Sequence, residues 1–149
     1  MAKFSILKTS LLLAILSLIG YYVWHVHFNY RLEEIAPNKV FKSALIPPEK
    51  LPGFLEENNI QTVINLLHPG TQDKLNPADK KVIDAEIIAI DKYNAEYDKD
   101  IKHVNIQSLQ IPTEENVQDF LRVMDDPTSY PVLIHCYHGT GRAPLYSAL

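Results

Sequence analysis

Near its C-terminal end the chain runs Ile134-His135-Cys136-Tyr137-His138-Gly139-Thr140-Gly141-Arg142, a glycine-bearing loop between two segments of regular structure. Ahead of it, Tyr130 to Ile134 is a short apolar run of the kind that forms a buried strand. After it, Ala143 to Leu149 reads as the start of a helix. A strand that turns tightly into a helix is the repeating unit of a layered α/β fold, and its loop lies at the strand's carboxyl end. There, free backbone N–H groups and the helix dipole favour an anion. The same field favours a thiolate at Cys136, the only cysteine of the chain; an unperturbed thiol, with a pKa of ~8.5, is mostly protonated at neutral pH. Arg142 adds a planar guanidinium that can grip two oxygens at once, which lysine cannot do. A nucleophile, a ring of donors and a bidentate cation are what a phosphoryl group requires.

The segment His135-Cys136-x-x-Gly139-x-Gly141-Arg142 resembles the H-C-x5-R signature loop of the protein tyrosine and dual-specificity phosphatase superfamily. Val40-Phe41-Lys42-Ser43-Ala44, Thr62-Val63-Ile64-Asn65-Leu66 and Ile111-Pro112-Thr113 follow the order and spacing of its small, atypical dual-specificity members from bacteria and organelles. The resemblance covers roughly residues 35 to 149. It implies that Cys136 is the nucleophile and Arg142 the phosphate clamp. It further implies that the backbone from Tyr137 through His138, Gly139, Thr140 and Gly141 to Arg142 cradles the substrate, and that His135 orients the loop from behind. No metal or organic cofactor belongs to this chemistry. The implied substrate is a phosphorylated protein, lipid headgroup or sugar. Rhodanese-like sulfurtransferases also open a helix with a cysteine loop, but their loop is shorter, and the spacing here favours phosphate.

Two positions depart from the family's pattern. The residue after the arginine is commonly Ser or Thr, whose hydroxyl helps release phosphate from the cysteine; here it is Ala143. The aspartate that serves as general acid upstream of the cysteine is missing from Gln107-Ser108-Leu109-Gln110-Ile111-Pro112. Candidates for the acid are Glu114 and Glu115, just past that segment, and Asp73 in the Leu67 to Leu75 loop. Each has an ordinary reading as well: the two glutamates as first-turn helix acids, the aspartate as a loop residue. A pseudophosphatase that binds phosphorylated ligands without turnover is therefore the alternative to an enzyme. His138 reads equally as a substrate contact and as an exposed loop histidine. The lysines typical of loops tuned to inositol phospholipids are absent. His25 and His27 sit together near the end of the apolar segment described below, His68 and His103 stand alone, and no cluster has the spacing of a zinc site.

At the other end, Thr9 to Phe28 is an uncharged stretch of 20 residues, closing in Tyr21, Tyr22 and Trp24. It is long enough to cross a bilayer as one helix, and its late aromatics suit an interfacial belt. Gly20-Tyr21-Tyr22-Val23-Trp24 lacks the small-residue pattern of signal cleavage, so an uncleaved single-pass anchor is expected. Lys3 and Lys8 precede it, which places the following domain on the outer side, periplasmic in a bacterium. They are also the only charged residues before Arg31, so the remainder carries 12 basic against 18 acidic side chains, a net of −6. That balance argues against nucleic acid as a partner.

The expected architecture is α/β: a mostly parallel central sheet flanked by helices, phosphatase-like, over residues 31–149, with one N-terminal transmembrane helix in residues 1–30. Val40 to Ala44 is expected as an edge strand, Thr62 to Leu67 and His103 to Leu109 as further strands. Pro47 to Asn58 and Pro77 to Tyr97 are expected as helices, the second capped by Asn76 and marked by Ile83, Ile87, Ile90 and Tyr97. Thr113 is expected to cap a helix striped by Val117, Phe120, Leu121 and Met124 and ended by Asp126-Pro127. The sequence stops at Leu149, about two turns into its last helix, where the resemblance implies more helix, so a truncated C-terminus is expected.

Overall fold

The structure is a computed structural model; it describes residues 2–70 and 79–149, with side chains from Leu7 onward. The chain divides into two compact units, residues 1–31 and 32–149. The first is helix α1, Ala2–His27. Its stretch Leu7–His27 has a mean hydropathy of 1.6, with none of it buried. At 1.5 Å per residue those 21 residues span about 32 Å, the thickness of a bilayer core.

The second unit is built on strands β1 (Glu33–Ala36), β2 (Val40–Ser43), β3 (Thr62–Asn65), β4 (Lys102–Asn105) and β5 (Val132–His135). Their order is β1-β2-β5-β3-β4, parallel throughout except for β1 against β2. Strand β2 is therefore internal, not the edge its sequence suggested. The edge beside it is β1, whose Glu33 and Glu34 supply no apolar alternation; charge on an edge strand discourages pairing with another chain. At the centre, β5 and β3 are buried along their whole length, which is why both read as unbroken apolar runs.

Helices α2 (Leu51–Glu57), α3 (Lys80–Tyr97), α4 (Glu114–Met124) and α5 (Arg142–Tyr146) complete the layers. Helix α3 begins behind Asp79, whose side chain accepts the Lys81 N–H; the suggested cap, Asn76, lies outside the described residues. Its inner face carries Ile83, Glu86, Ile90 and Tyr93, while Tyr97 is exposed. The buried face continues at Tyr93, three residues after Ile90, and not at Tyr97, seven after it. Helix α4 opens with a capping box between Thr113 and Asn116, and Asp126 then caps a short 3-10 turn, Pro127–Ser129. The segment 106–109, expected to continue β4, leaves the sheet after Asn105. Phe120 of α4 meets Tyr146 of α5 edge-on at 5.1 Å, in a core shared with Ile64, Ile134, Cys136 and Ala143. Burying one such aromatic ring contributes about 1.5–3 kcal/mol.

Candidate active site

The parallel register aligns Ser43, His135, Asn65 and Asn105 across the carboxyl ends of four neighbouring strands. Beyond that row the chain turns into Cys136, so the loop starts on a ledge of polar side chains. Asn65 fixes the neighbouring turn by accepting the Leu67 N–H at 2.8 Å through Oδ1. Asn105 donates to the carbonyls of Asn65 and Leu67, each at 2.9 Å. From the β2 side, the Leu45 N–H donates to the Tyr137 carbonyl at 3.1 Å.

The loop folds back tightly on this support. Gly139 has φ of +69°, and a Cβ there would lie 2.5 Å from the Ala44 nitrogen. Only glycine meets both demands, conformation and space. Its N–H donates to Cys136 Sγ at 3.3 Å, and the sulfur is almost fully buried, the residue being 3% exposed.

Arg142 is equally enclosed, at 4% exposed. Its Nη1 donates to the Leu66 carbonyl at 2.8 Å and to the Ser108 carbonyl at 3.0 Å, while Nε has no partner among the described residues. Tyr146 Oη donates to Ser108 Oγ at 2.9 Å, tying α5 to the segment that anchors the arginine. Between Cys136 and Arg142 lies a cleft of about 180 Å³, lined also by Gln110, His138, Thr140 and Gly141. That is the volume of about six water molecules. A buried guanidinium with an unused donor, sharing such a cleft with a cysteine, suits a small oxyanion.

Of the residues singled out from sequence, Cys136, His138, Thr140, Gly141 and Arg142 share the cleft. Gly139 bonds the sulfur from within the loop. Tyr137 packs its ring edge-on against His138 at 4.8 Å. Glu114 and Glu115 are exposed in the first turn of α4 and do not line the cleft. Asp73 lies outside the described residues. Ala143, fully buried, stands where a hydroxyl was expected.

Three contributions escaped the sequence. Gln110 lines the cleft, and a Cβ on Gly141 would sit 3.1 Å from its Oε1. Ser108 supplies a carbonyl and a hydroxyl to the arginine's surroundings. Most unexpected is Glu86 of α3, 1% exposed, to which His103, solitary in sequence, is also drawn. Its signal was present: a carboxylate three residues after Ile83 and four before Ile90, inside an apolar stripe. Burial alone would push the Glu86 carboxyl up. The positive charge of His135 and the hydrogen bonds from His103 and His135 outweigh that and hold it far below the usual carboxylate range.

A family model described as "Polymorphic toxin system, DSP-PTPase phosphatase" matches residues 48–148. No curated protein sequence matches the chain. Among solved structures, a candidate phosphatase (DUF442) of Shewanella putrefaciens CN-32 is similar at 24% identity, with a TM-score of 0.56 over 78% of this chain and 67% of that one. The core catalytic domain of the PP-IP phosphatase Siw14 of S. cerevisiae is similar at 14% identity, TM-score 0.54, over 78% and 61%. TpbA of P. aeruginosa follows at 15% identity, TM-score 0.53, over 80% and 62%. At such identities the likeness is one of fold. The chain spans 61% of the Siw14 structure and 62% of the TpbA structure.

Proposed function

The chain belongs to the DSP-PTPase phosphatase family of polymorphic toxin systems, and from that premise we propose that it is a membrane-anchored, cysteine-dependent phosphomonoesterase. The observation that carries this reading is the buried Cys136 sharing one cleft with an Arg142 whose Nε is uncommitted. Cys136 attacks phosphorus in line as a thiolate, forming an S–P bond as the P–O bond to the leaving group breaks. Arg142 and the loop N–H groups from Tyr137 onward hold the equatorial oxygens, where charge accumulates in the transition state. The departing oxygen takes a proton from an acid or, for an activated aryl group, needs little help. Water then attacks the phosphocysteine, releasing inorganic phosphate and returning the thiolate. Helix α1 holds the domain at a membrane, on the outer side.

The substrate's recognised part is the phosphomonoester itself, common to phosphoproteins, lipid headgroups and phosphosugars. A second reading, a phosphate-binding pseudophosphatase, draws on two observations: Ala143 in place of a hydroxyl, and no carboxylate among the described residues lining the cleft. One experiment separates them. The full chain is expected to release phosphate from an aryl phosphate and to bind vanadate, and Cys136→Ser to lose release while keeping most of the vanadate binding. Vanadate binding without release by the unaltered chain would favour the pseudophosphatase.

A further inference from the structure

Between β4 and α4 the chain runs Ser108-Leu109-Gln110-Ile111, and its side chains are disposed against the usual preference. Leu109 is 52% exposed and Ile111 83%, while the polar residue between them lines the cleft that holds Cys136 and Arg142. Hydrophobic burial would arrange the three the other way round, so burial does not account for the place of Gln110. A local rule broken without a packing gain marks a functional position.

The segment is tied down on both sides of this residue. Ser108 gives its carbonyl to Arg142 Nη1 at 3.0 Å, accepts the Tyr146 hydroxyl at 2.9 Å and donates its own hydroxyl to the Leu109 carbonyl at 2.9 Å. After Gln110, Thr113 and Asn116 close their capping box, and Asn116 Nδ2 donates to the Gln107 carbonyl at 3.5 Å. Gln110 is thereby mounted on the frame that fixes the guanidinium. Gly141 leaves it room, since a Cβ there would lie 3.1 Å from Gln110 Oε1. Among the described residues, no hydrogen bond engages its amide. Of the described residues lining the cleft, it alone comes from outside the loop 136–142. Cys136 and Arg142 are enclosed and Gln110 is exposed, so the cleft runs from a buried sulfur to a mouth beside a free amide.

We propose that Gln110 is a catalytic residue whose side-chain amide donates to the ester oxygen of the bound phosphomonoester. The proposal rests on the phosphatase reading of the same cleft. In-line displacement sets the entering and departing atoms on opposite sides of phosphorus, so a sulfur at the enclosed end directs the ester oxygen to the mouth. As the S–P bond forms and the P–O bond breaks, the electron pair of the broken bond collects on that oxygen. An N–H group held there in advance binds it more strongly in the transition state than in the ground state. The amide gives up no proton; the oxygen takes one from an acid or from water. An ionised carboxylate at the same point would oppose the phosphate charge, whereas a neutral donor does not.

The test compares the full chain with Gln110→Ala on aryl phosphates graded by the basicity of their phenols. The ratio kcat/KM is read, because it reports every step up to departure of the phenol. The loss is expected to be about tenfold for the most basic phenol and to shrink toward the most acidic, whose oxygen gathers the least charge. A uniform loss along the series makes Gln110 a part that merely shapes the cleft and overturns the proposal, as does no loss at all. Vanadate titration supplies a measurement independent of turnover. Gln110→Ala is expected to weaken vanadate binding about two- to tenfold, and Gln110→Glu further, since it adds charge of the ligand's own sign. Unchanged affinity in either variant overturns the contact. Should the unaltered chain bind vanadate but release no phenol, the phosphatase reading fails separately, and the vanadate comparison still decides whether the amide reaches the bound anion.

Discussion

Arg142 arrives at the cleft with one nitrogen, Nη1, already bonded to the carbonyls of Leu66 and Ser108. Those bonds fix the plane of the guanidinium before any ligand arrives and leave its remaining donors for an anion. Lysine cannot imitate this: one ammonium cannot hold two carbonyls and present two parallel N–H groups as well. A hydrogen bond to a charged group contributes about 1.5–3 kcal/mol. Arg142→Lys is therefore expected to weaken vanadate binding by roughly ten- to a hundredfold or more, and to lower kcat/KM at least as much. Unchanged vanadate affinity, measured by titration, would count against the clamp. The identities of Cys136 and Arg142 were legible because their spacing alone brings them to one loop. Glu86 was not, since it lies 49 residues from His135 in the chain and only the packing of α3 on the sheet brings the two together.

Elements whose burial is one-sided or complete announced themselves. The apolar runs of β3 and β5 and the capped, striped α4 emerged from pattern alone, because period and burial are directly coupled there. Strand β1 did not, since an edge strand carrying Glu33 and Glu34 has little buried surface to impose a pattern, and its absence from the reading is what misplaced β2 at the edge. Helix α1 poses the opposite case, a long apolar stretch none of which is buried among the described residues. Such a helix is stable in hydrocarbon, where each backbone group is satisfied within the segment. The full chain expressed in a bacterium is expected to sediment with membranes and to resist carbonate extraction. A soluble product beginning between residues 21 and 30 would show instead that the segment is removed.

At the scale of the whole molecule, the loop's geometry is a property of the sheet more than of the loop. Strands β2, β5 and β3 end level, so Ser43, His135 and Asn65 form one shelf, Gly139 closes against Ala44 on one side of it, and Arg142 is tied to Leu66 and Ser108 on the other. A sequence can state which residues occur in such a loop, but the shelf exists only once three distant segments pair. The central claim is that this shelf presents Cys136 to phosphorus as a nucleophile. It is tested most directly by mixing the full chain rapidly with an aryl phosphate labelled in its phosphorus, quenching within the first turnover, and locating the label by peptide mapping. The account predicts label on the peptide containing Cys136, approaching one per chain, released afterwards as inorganic phosphate and absent from Cys136→Ser. Phosphate release with no label on that peptide, retained in Cys136→Ser, would contradict it.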